Sequence, residues 1–205
     1  MPLVRKDPPT SSTPTAGDEG ARTLLTGGSA DERWAAARQI GREPGDVQVL
    51  GEALALEADP RVREAIFTSL VRTGGDAAIG VVLPHMRSDD ATLRTGALDA
   101  LRAMARSTVS VLGDLLHDPD TDVRILACEI AREAPPADAS RLLAEVLSRE
   151  TEANVCGAAV EVLAEIGGPE ALSALTACAD RFPQESFLRF AIKVACERIG
   201  APPRG

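Results

Sequence analysis

The side chains able to do chemistry in this chain are few and scattered. Four cysteines, Cys128, Cys156, Cys178 and Cys196, lie 28, 22 and 18 residues apart with no CxxC pair, and His85 and His117 are the only histidines. A structural or catalytic metal draws its ligands from short, repeated spacings, and a cysteine nucleophile needs a histidine base beside it. His85 and His117 read as polar ends of separate short helices. Cys128 and Cys196 occupy core-facing helical slots and Cys178 lies on an apolar outer helix, so the thiols read as small, inert hydrophobes. The pairs Gly27-Gly28, Gly74-Gly75 and Gly167-Gly168 lack the lysine of a phosphate loop and read as helix stops. Carboxylates are plentiful, but none stands apart from helix caps and solvated faces. The sequence therefore predicts no catalytic residue, no cofactor and no metal.

The arginines are different, because they recur. Four segments align on Arg33, Arg63, Arg94 and Arg124, at intervals of 30, 31 and 30 residues. Two weaker copies follow at intervals of 32 and 33, with Cys156 in the arginine slot of the fifth and Arg189 in the sixth. Four residues before each slot stand Ser29, Asp59, Asp90, Asp120, Glu152 and Glu185, and the serine and the three aspartates are good helix N-caps. Pro60 takes a first helical position, where its missing N–H costs nothing. Apolar residues stand one before, three after and seven after the slot (Val62, Ile66, Leu70; Leu93, Ala97, Leu101; Val123, Ala127, Ala131), which makes one stripe of an amphipathic helix. Breakers at Gly41, Gly74-Gly75, Pro135-Pro136 and Gly167-Gly168 end these helices, and a shorter apolar helix follows each. The predicted unit is a helical hairpin of about 30 residues, six times repeated.

Composition agrees. Hydrophobic residues make up 44% of 205, but aromatics only 2%, and tyrosine is absent. A core of Ala, Leu, Val and Ile suits closely spaced helices better than a β-sandwich. The net charge of -9 argues against nucleic acid or an anionic membrane surface, since no positive field is there to displace counterions. No apolar run approaches the length of a membrane span. Residues 1–19, rich in Pro, Ser and Thr, read as a flexible arm, residues 20–200 as the repeat domain and residues 201–205 as a tail. The opening stretch lacks the apolar segment of a secretory signal, which points to the cytoplasm.

The pattern D-P-D-x-x-V-R followed by A-x-x-x-A and a glycine resembles the HEAT repeat, in the short form shared with bilin-lyase-type repeats. The resemblance covers roughly residues 20–200 and implies an all-α fold, a right-handed α-α superhelix of about six hairpins. It further implies that Arg33, Arg63, Arg94 and Arg124 form the family's arginine ladder, each reaching an N-cap carboxylate (Asp59, Asp90, Asp120) to tie neighbouring repeats, with a break at Cys156. Arg22 falls outside that ladder and reads as an isolated surface arginine. The His-Glu dyads of HEAT-type deoxyhypusine hydroxylases are absent, since Met86 follows His85 and Asp118 follows His117. Binding of a tetrapyrrole would meet little to stack on in a chain with one Trp and no Tyr.

Binding of a protein partner is what remains. In HEAT-like arrays the arginine-bearing helices line the concave face, and their outward positions fall one, five and eight residues after the slot. Reading across them yields Trp34, Glu64, Ile125 and Phe190, then Arg38, Asp99, Glu129, Glu161 and Val194, with Arg102 and Arg132 beside the acidic stripe. These charges either keep a face solvated through intrahelical pairs or line a partner groove with Trp34 and Ile125 as apolar anchors. Trp34 is alternatively a cap on the open N-terminal end of the core, under residues 21–26. In the last repeat, Phe187, Phe190 and Val194 form a second apolar stripe, either covered by Phe182 and the preceding helix or exposed to dock a partner or a second copy of the chain. The resulting expectation is a cytoplasmic protein-protein interaction adaptor or scaffold, in a signalling or assembly complex. The alternative is a lyase- or chaperone-type accessory subunit that binds a cofactor or a client modification site.

Overall fold

The computed structural model describes residues 16–41 and 45–200. Among them are twelve α-helices and no strand. The outer row comprises α1 (Ala16–Gly27), α3 (Asp46–Leu56), α5 (Gly75–Val82, extended by a 3-10 turn, Leu83–Arg87), α7 (Ala105–Leu115), α9 (Pro136–Arg149) and α11 (Leu172–Arg181). The arginine-bearing row comprises α2 (Ala30–Gln39), α4 (Pro60–Thr73), α6 (Ala91–Ala103), α8 (Thr121–Ala131), α10 (Ala153–Ile166) and α12 (Ser186–Gly200). Each even helix packs on the next even helix, and each odd helix, α5 taken with its 3-10 turn, packs more on the even helix after it than on the one before. The hairpins are therefore α1–α2 to α11–α12, an all-α solenoid in two layers.

This phasing begins earlier than the sequence suggests. Residues 1–15 of the expected arm and the tail 201–205 lie outside the described residues, but residues 16–19 are the start of α1. Ala21 and Leu25 of α1 are buried, so α1 supplies the outer helix of the first hairpin. Two glycines near its start, Gly17 and Gly20, lower its intrinsic helix propensity and hide it from a pattern search; burial of its apolar face offsets that cost.

Local chemistry starts the even helices where the repeats begin. Ser29 accepts from the Glu32 N–H while the Glu32 carboxylate accepts from the Ser29 N–H at 2.8 Å, a reciprocal capping box. Asp59, Asp90 and Asp120 cap α4, α6 and α8 through their side chains; Glu152 makes no such bond at α10. The predicted stripe is the core: Val62, Ile66, Leu70, Ala97, Leu101, Val123, Ala127 and Ala131 are buried, and Leu93 is half-buried against them. At the third position after the slot, Ala36, Ala97, Ala127 and Ala159 let neighbouring even helices approach closely.

The arginine ladder exists, but most of its acceptors stand two residues before the N-caps. Arg33 grips Glu57 through two bonds of 2.7 and 2.9 Å, and Arg124 grips Glu150 at 2.8 and 3.3 Å. Glu57 and Glu150 are buried and each also accepts two backbone N–H groups leading into the next helix. In the intervening repeat that position is Ser88, and Arg63 turns instead to the N-cap Asp90 at 2.6 Å. Asp59 and Asp120, expected as ladder acceptors, serve as caps; Asp118, two residues before Asp120, pairs with Arg87. Arg94 donates to the Ser88 carbonyl at 2.5 Å and, among the described residues, forms no ion pair. Its expected acceptor, Asp120, points into its own helix start, and Arg87 occupies the carboxylate beside it. The ladder also has a rung common to most repeats: Arg63, Arg94 and Arg124 each donate to the carbonyl six residues earlier, at 2.7, 2.5 and 2.8 Å. Cys156 keeps only a weak version, its Sγ 4.0 Å from the Glu150 carbonyl.

Arg22 is not isolated. Its guanidinium lies 2.6 Å from Asp46, a buried carboxylate that also accepts from the Gly41 N–H at 3.0 Å. Gly41 has φ +103°, a left-handed conformation that favours glycine. This cluster ties α1 to the turn after α2, a contact invisible while α1 itself is unrecognised.

Candidate protein-binding face

The outward positions of the even helices form one continuous face, and its chemistry changes from one end to the other. At α2, Trp34 is 39% exposed, with the Arg38 guanidinium 4.7 Å from its ring centroid. That geometry is a cation–π contact on the surface and leaves part of the indole open.

Between α4 and α6 the face opens into a groove of about 730 Å³. Glu64, Thr68 and Val71 line it from α4, Thr95, Asp99 and Ala103 from α6, and Phe67 and Gly96 lie at its base. Gly96 is the reason the groove has this shape. A Cβ there would stand 2.5 Å from Phe67 Cε2, so only glycine lets the ring lean across to α6. Behind the ring, His85 packs edge-on at 6.5 Å. Burial, then the nearby Arg63 charge, push the His85 pKa below its ordinary value, so the imidazole is neutral at pH 7.

Between α6 and α10 the charges are paired. Arg102 reaches Glu133 at 3.2 Å and lies 4.0 Å from Asp99. Arg132 bonds Glu165 and stands 3.4 Å from Glu129 and 3.5 Å from Glu161. The hydrogen bond to Glu165, together with Glu129, raises the Arg132 pKa further, and the same bond lowers that of Glu165. Ile125 is half-buried and packed against the core. This stretch is an ion-pair network linking α8 to α10, with two arginines shared among five carboxylates.

At α12 the second apolar stripe is open. Phe187 is 80% and Phe190 65% exposed, while Val194 is half-buried. Phe182 does not cover them; the Arg181 guanidinium sits 5.7 Å from its ring, and Arg181 also donates to the Leu147 carbonyl at 2.5 Å, closing the end of α9.

The structure thus brings Glu64 and Asp99 into one groove and joins Arg102, Glu129, Arg132 and Glu161 in ion pairs. It leaves Trp34–Arg38 and Phe187–Phe190 at opposite ends. Sequence reasoning missed the Phe67–Gly96 base, although Gly96 is the glycine in a slot that otherwise carries Ala35, Ala65, Leu126, Ala158 and Ala191. Elsewhere, no group of three or more His, Cys, Asp or Glu among the described residues is placed to hold a metal ion. Burial raises the Cys128 pKa to about 12, and the buried Cys156 and Cys178 thiols face each other between α10 and α11, which raises the pKa of Cys156 and lowers that of Cys178. No described helix is long and apolar enough to cross a membrane.

A two-layer helical array with a groove on its arginine-bearing face defines an α-solenoid. The sequence signature of HEAT repeats matches residues 20–102 and 109–193, and the chain belongs to that family. No curated protein matches it. Among solved structures, it is similar to an engineered protein at 21% identity, covering 90% of this chain and 97% of that one with a TM-score of 0.44. It is also similar to human deoxyhypusine hydroxylase in complex with glycerol, at 16% identity over 91% of this chain and 85% of that one, TM-score 0.44. A third likeness is to the complex of CpcE and CpcF of phycocyanin lyase from Nostoc sp., at 16% identity over 97% and 100%, TM-score 0.39.

Proposed function

We propose that this chain is a non-catalytic adaptor or scaffold that holds another protein against its even-helix face, in the cytoplasm, as part of a signalling or assembly complex. The observation that carries this reading is the groove between α4 and α6, a concave site with an aromatic base on the face that also exposes Trp34, Phe187 and Phe190. Exposed aromatics are costly to leave in water and are the side chains that dominate interface energetics. HEAT arrays commonly bind proteins, and a fold of this kind supports many partners, so the site and not the fold identifies where binding occurs.

The experiment is isolation of the tagged chain from its own host, followed by the same isolation with Thr95→Arg and Phe190→Glu. A stoichiometric protein partner that is lost from one of these variants, but retained by the outer-row variant Arg141→Glu, is the expected result. A chromophore or metal in the absorption spectrum, with no protein partner, would support an accessory subunit for cofactor handling instead.

A further inference from the structure

The groove between α4 and α6 carries more information than its position. It follows α4 from Pro60 to Val71 and α6 from Ala91 to Ala103, a run of roughly 17 Å at 1.5 Å per residue. Along that run its volume is about 730 Å³. An extended segment of about five residues, at about 3.3 Å each, matches its length.

Its electrostatics are lopsided. Arg63 lines the groove, but its charge is taken by Asp90 at 2.6 Å and by the Glu57 carbonyl at 2.7 Å. Arg102, three residues on from Asp99, commits Nη2 to Glu133 and leaves Asp99 a contact of only 4.0 Å. Among the described residues the Glu64 carboxylate has neither a hydrogen bond nor an ion pair; Thr68 donates to the Glu64 backbone carbonyl instead. On a face where Glu129, Glu133, Glu161 and Glu165 all have arginine partners, Glu64 has none. The unmatched negative charge lies above an apolar base of Phe67, Val71 and Ala100, a combination suited to a long side chain with an apolar stem and a cationic head.

Resting on the protein-binding reading above, we propose that this groove binds an extended partner segment through a lysine or arginine whose head is set between Glu64 on α4 and Asp99 on α6. Its methylenes lie over the Phe67–Gly96 base. Thr68 and Thr95, one on each wall, supply hydroxyls to the segment's backbone. Gly96 determines this specificity indirectly: without it the Phe67 ring could not form the base.

The test uses the full chain and a phage-displayed library of random heptapeptides, followed by fluorescence anisotropy with the enriched sequences as labelled synthetic peptides. The enriched sequences should share a Lys or Arg. Their affinity should fall at least tenfold in the double variant Glu64→Gln/Asp99→Asn and in Thr95→Arg, which places a cation of the chain's own in the groove. Replacing the peptide's Lys or Arg by norleucine should cost a similar factor, and that loss should largely vanish in the double variant, because both changes remove one interaction. Enriched peptides without a cation, no enrichment, or an affinity unchanged in the double variant would overturn the proposal. Peptides lost in Trp34→Ala or Phe190→Glu but retained by the groove variants would overturn it while leaving the protein-binding face intact. Peptides lost only in Arg141→Glu, on the outer row, would overturn both.

Discussion

Replacing Arg124 by alanine isolates the ladder where it is most enclosed. The Arg124 and Glu150 side chains are 14% and 8% exposed, and the guanidinium also closes the Asp118 carbonyl at 2.8 Å. Burial works against the charged form of Glu150, but the hydrogen bonds from Arg124 and from the Glu152 and Thr151 N–H groups outweigh it and hold its pKa below the usual value. Removing one partner of a buried pair costs about 3–5 kcal/mol; because Glu150 keeps its two backbone bonds here, about 2–3 kcal/mol is expected. For a chain of this size each kcal/mol moves the melting temperature by about 2–4 °C, so the variant should melt roughly 4–12 °C lower at pH 7. Arg141, 62% exposed and 4.0 Å from Asp138, is the control, with a loss within about 0.5 kcal/mol. Acid adds an independent check. A carboxylate with a lowered folded pKa contributes stability above its unfolded value, near 4.3, and loses it as pH falls through the folded pKa. The gap between parent and Arg124→Ala should therefore be complete at pH 7 and shrink below about pH 4 as Glu150 protonates. Melting curves by circular dichroism across this range read both quantities. Equal melting temperatures for Arg124→Ala and Arg141→Ala at pH 7 would refute the ladder as a structural tie.

Arg22→Ala should also destabilise, by about 1–2 kcal/mol, because it removes the guanidinium that lies 2.6 Å from the buried Asp46 carboxylate; thermal melting beside Arg141→Ala checks this. Phe190→Glu should leave the melting temperature of the isolated chain within about 2 °C, since the ring is 65% exposed and its replacement meets water; a loss of several kcal/mol in chemical denaturation would mean that the stripe is packed. In a thiol-labelling time course on the native protein, Cys196, half-buried, should react first and Cys128, with its pKa near 12, only on unfolding. Acrylamide, a neutral quencher, should quench Trp34 partially, and Arg38→Ala should increase the quenching as the guanidinium cover is removed.

What could be read from the sequence was whatever repeats. The interval between Arg33, Arg63, Arg94 and Arg124, together with the aspartate caps and the stripe through Val62, Ile66 and Leu70, specifies helices, their order and their core. The first hairpin escaped because α1 carries no arginine slot and two glycines in its first turns. The ladder's acceptors escaped for a geometric reason. A guanidinium one turn inside a helix reaches back past the cap, so Glu57 and Glu150 meet it before Asp59 or Glu152 can. The binding face was legible as a set of outward positions, but periodicity says nothing about which of those charges find partners. Arg132 and its three glutamates look as open in sequence as Glu64 does; only the packing of α8 against α10 separates them. The α4–α6 groove depends on one missing Cβ at Gly96, a departure from the repeat, which a search for regularity averages away.

The central claim, that a partner protein occupies the even-helix face, is tested most directly by placing a photo-crosslinking residue at Thr68, Thr95 or Glu161 on that face, and at Arg141 or Thr176 on the outer row. All five side chains are exposed, so each reports its surroundings without disturbing the core. Irradiated in the native host, the even-face positions should form a crosslink to one and the same protein, strongest at Thr95, and the outer-row positions none. Crosslinks from Arg141 and Thr176, with Thr68, Thr95 and Glu161 silent, would contradict the account.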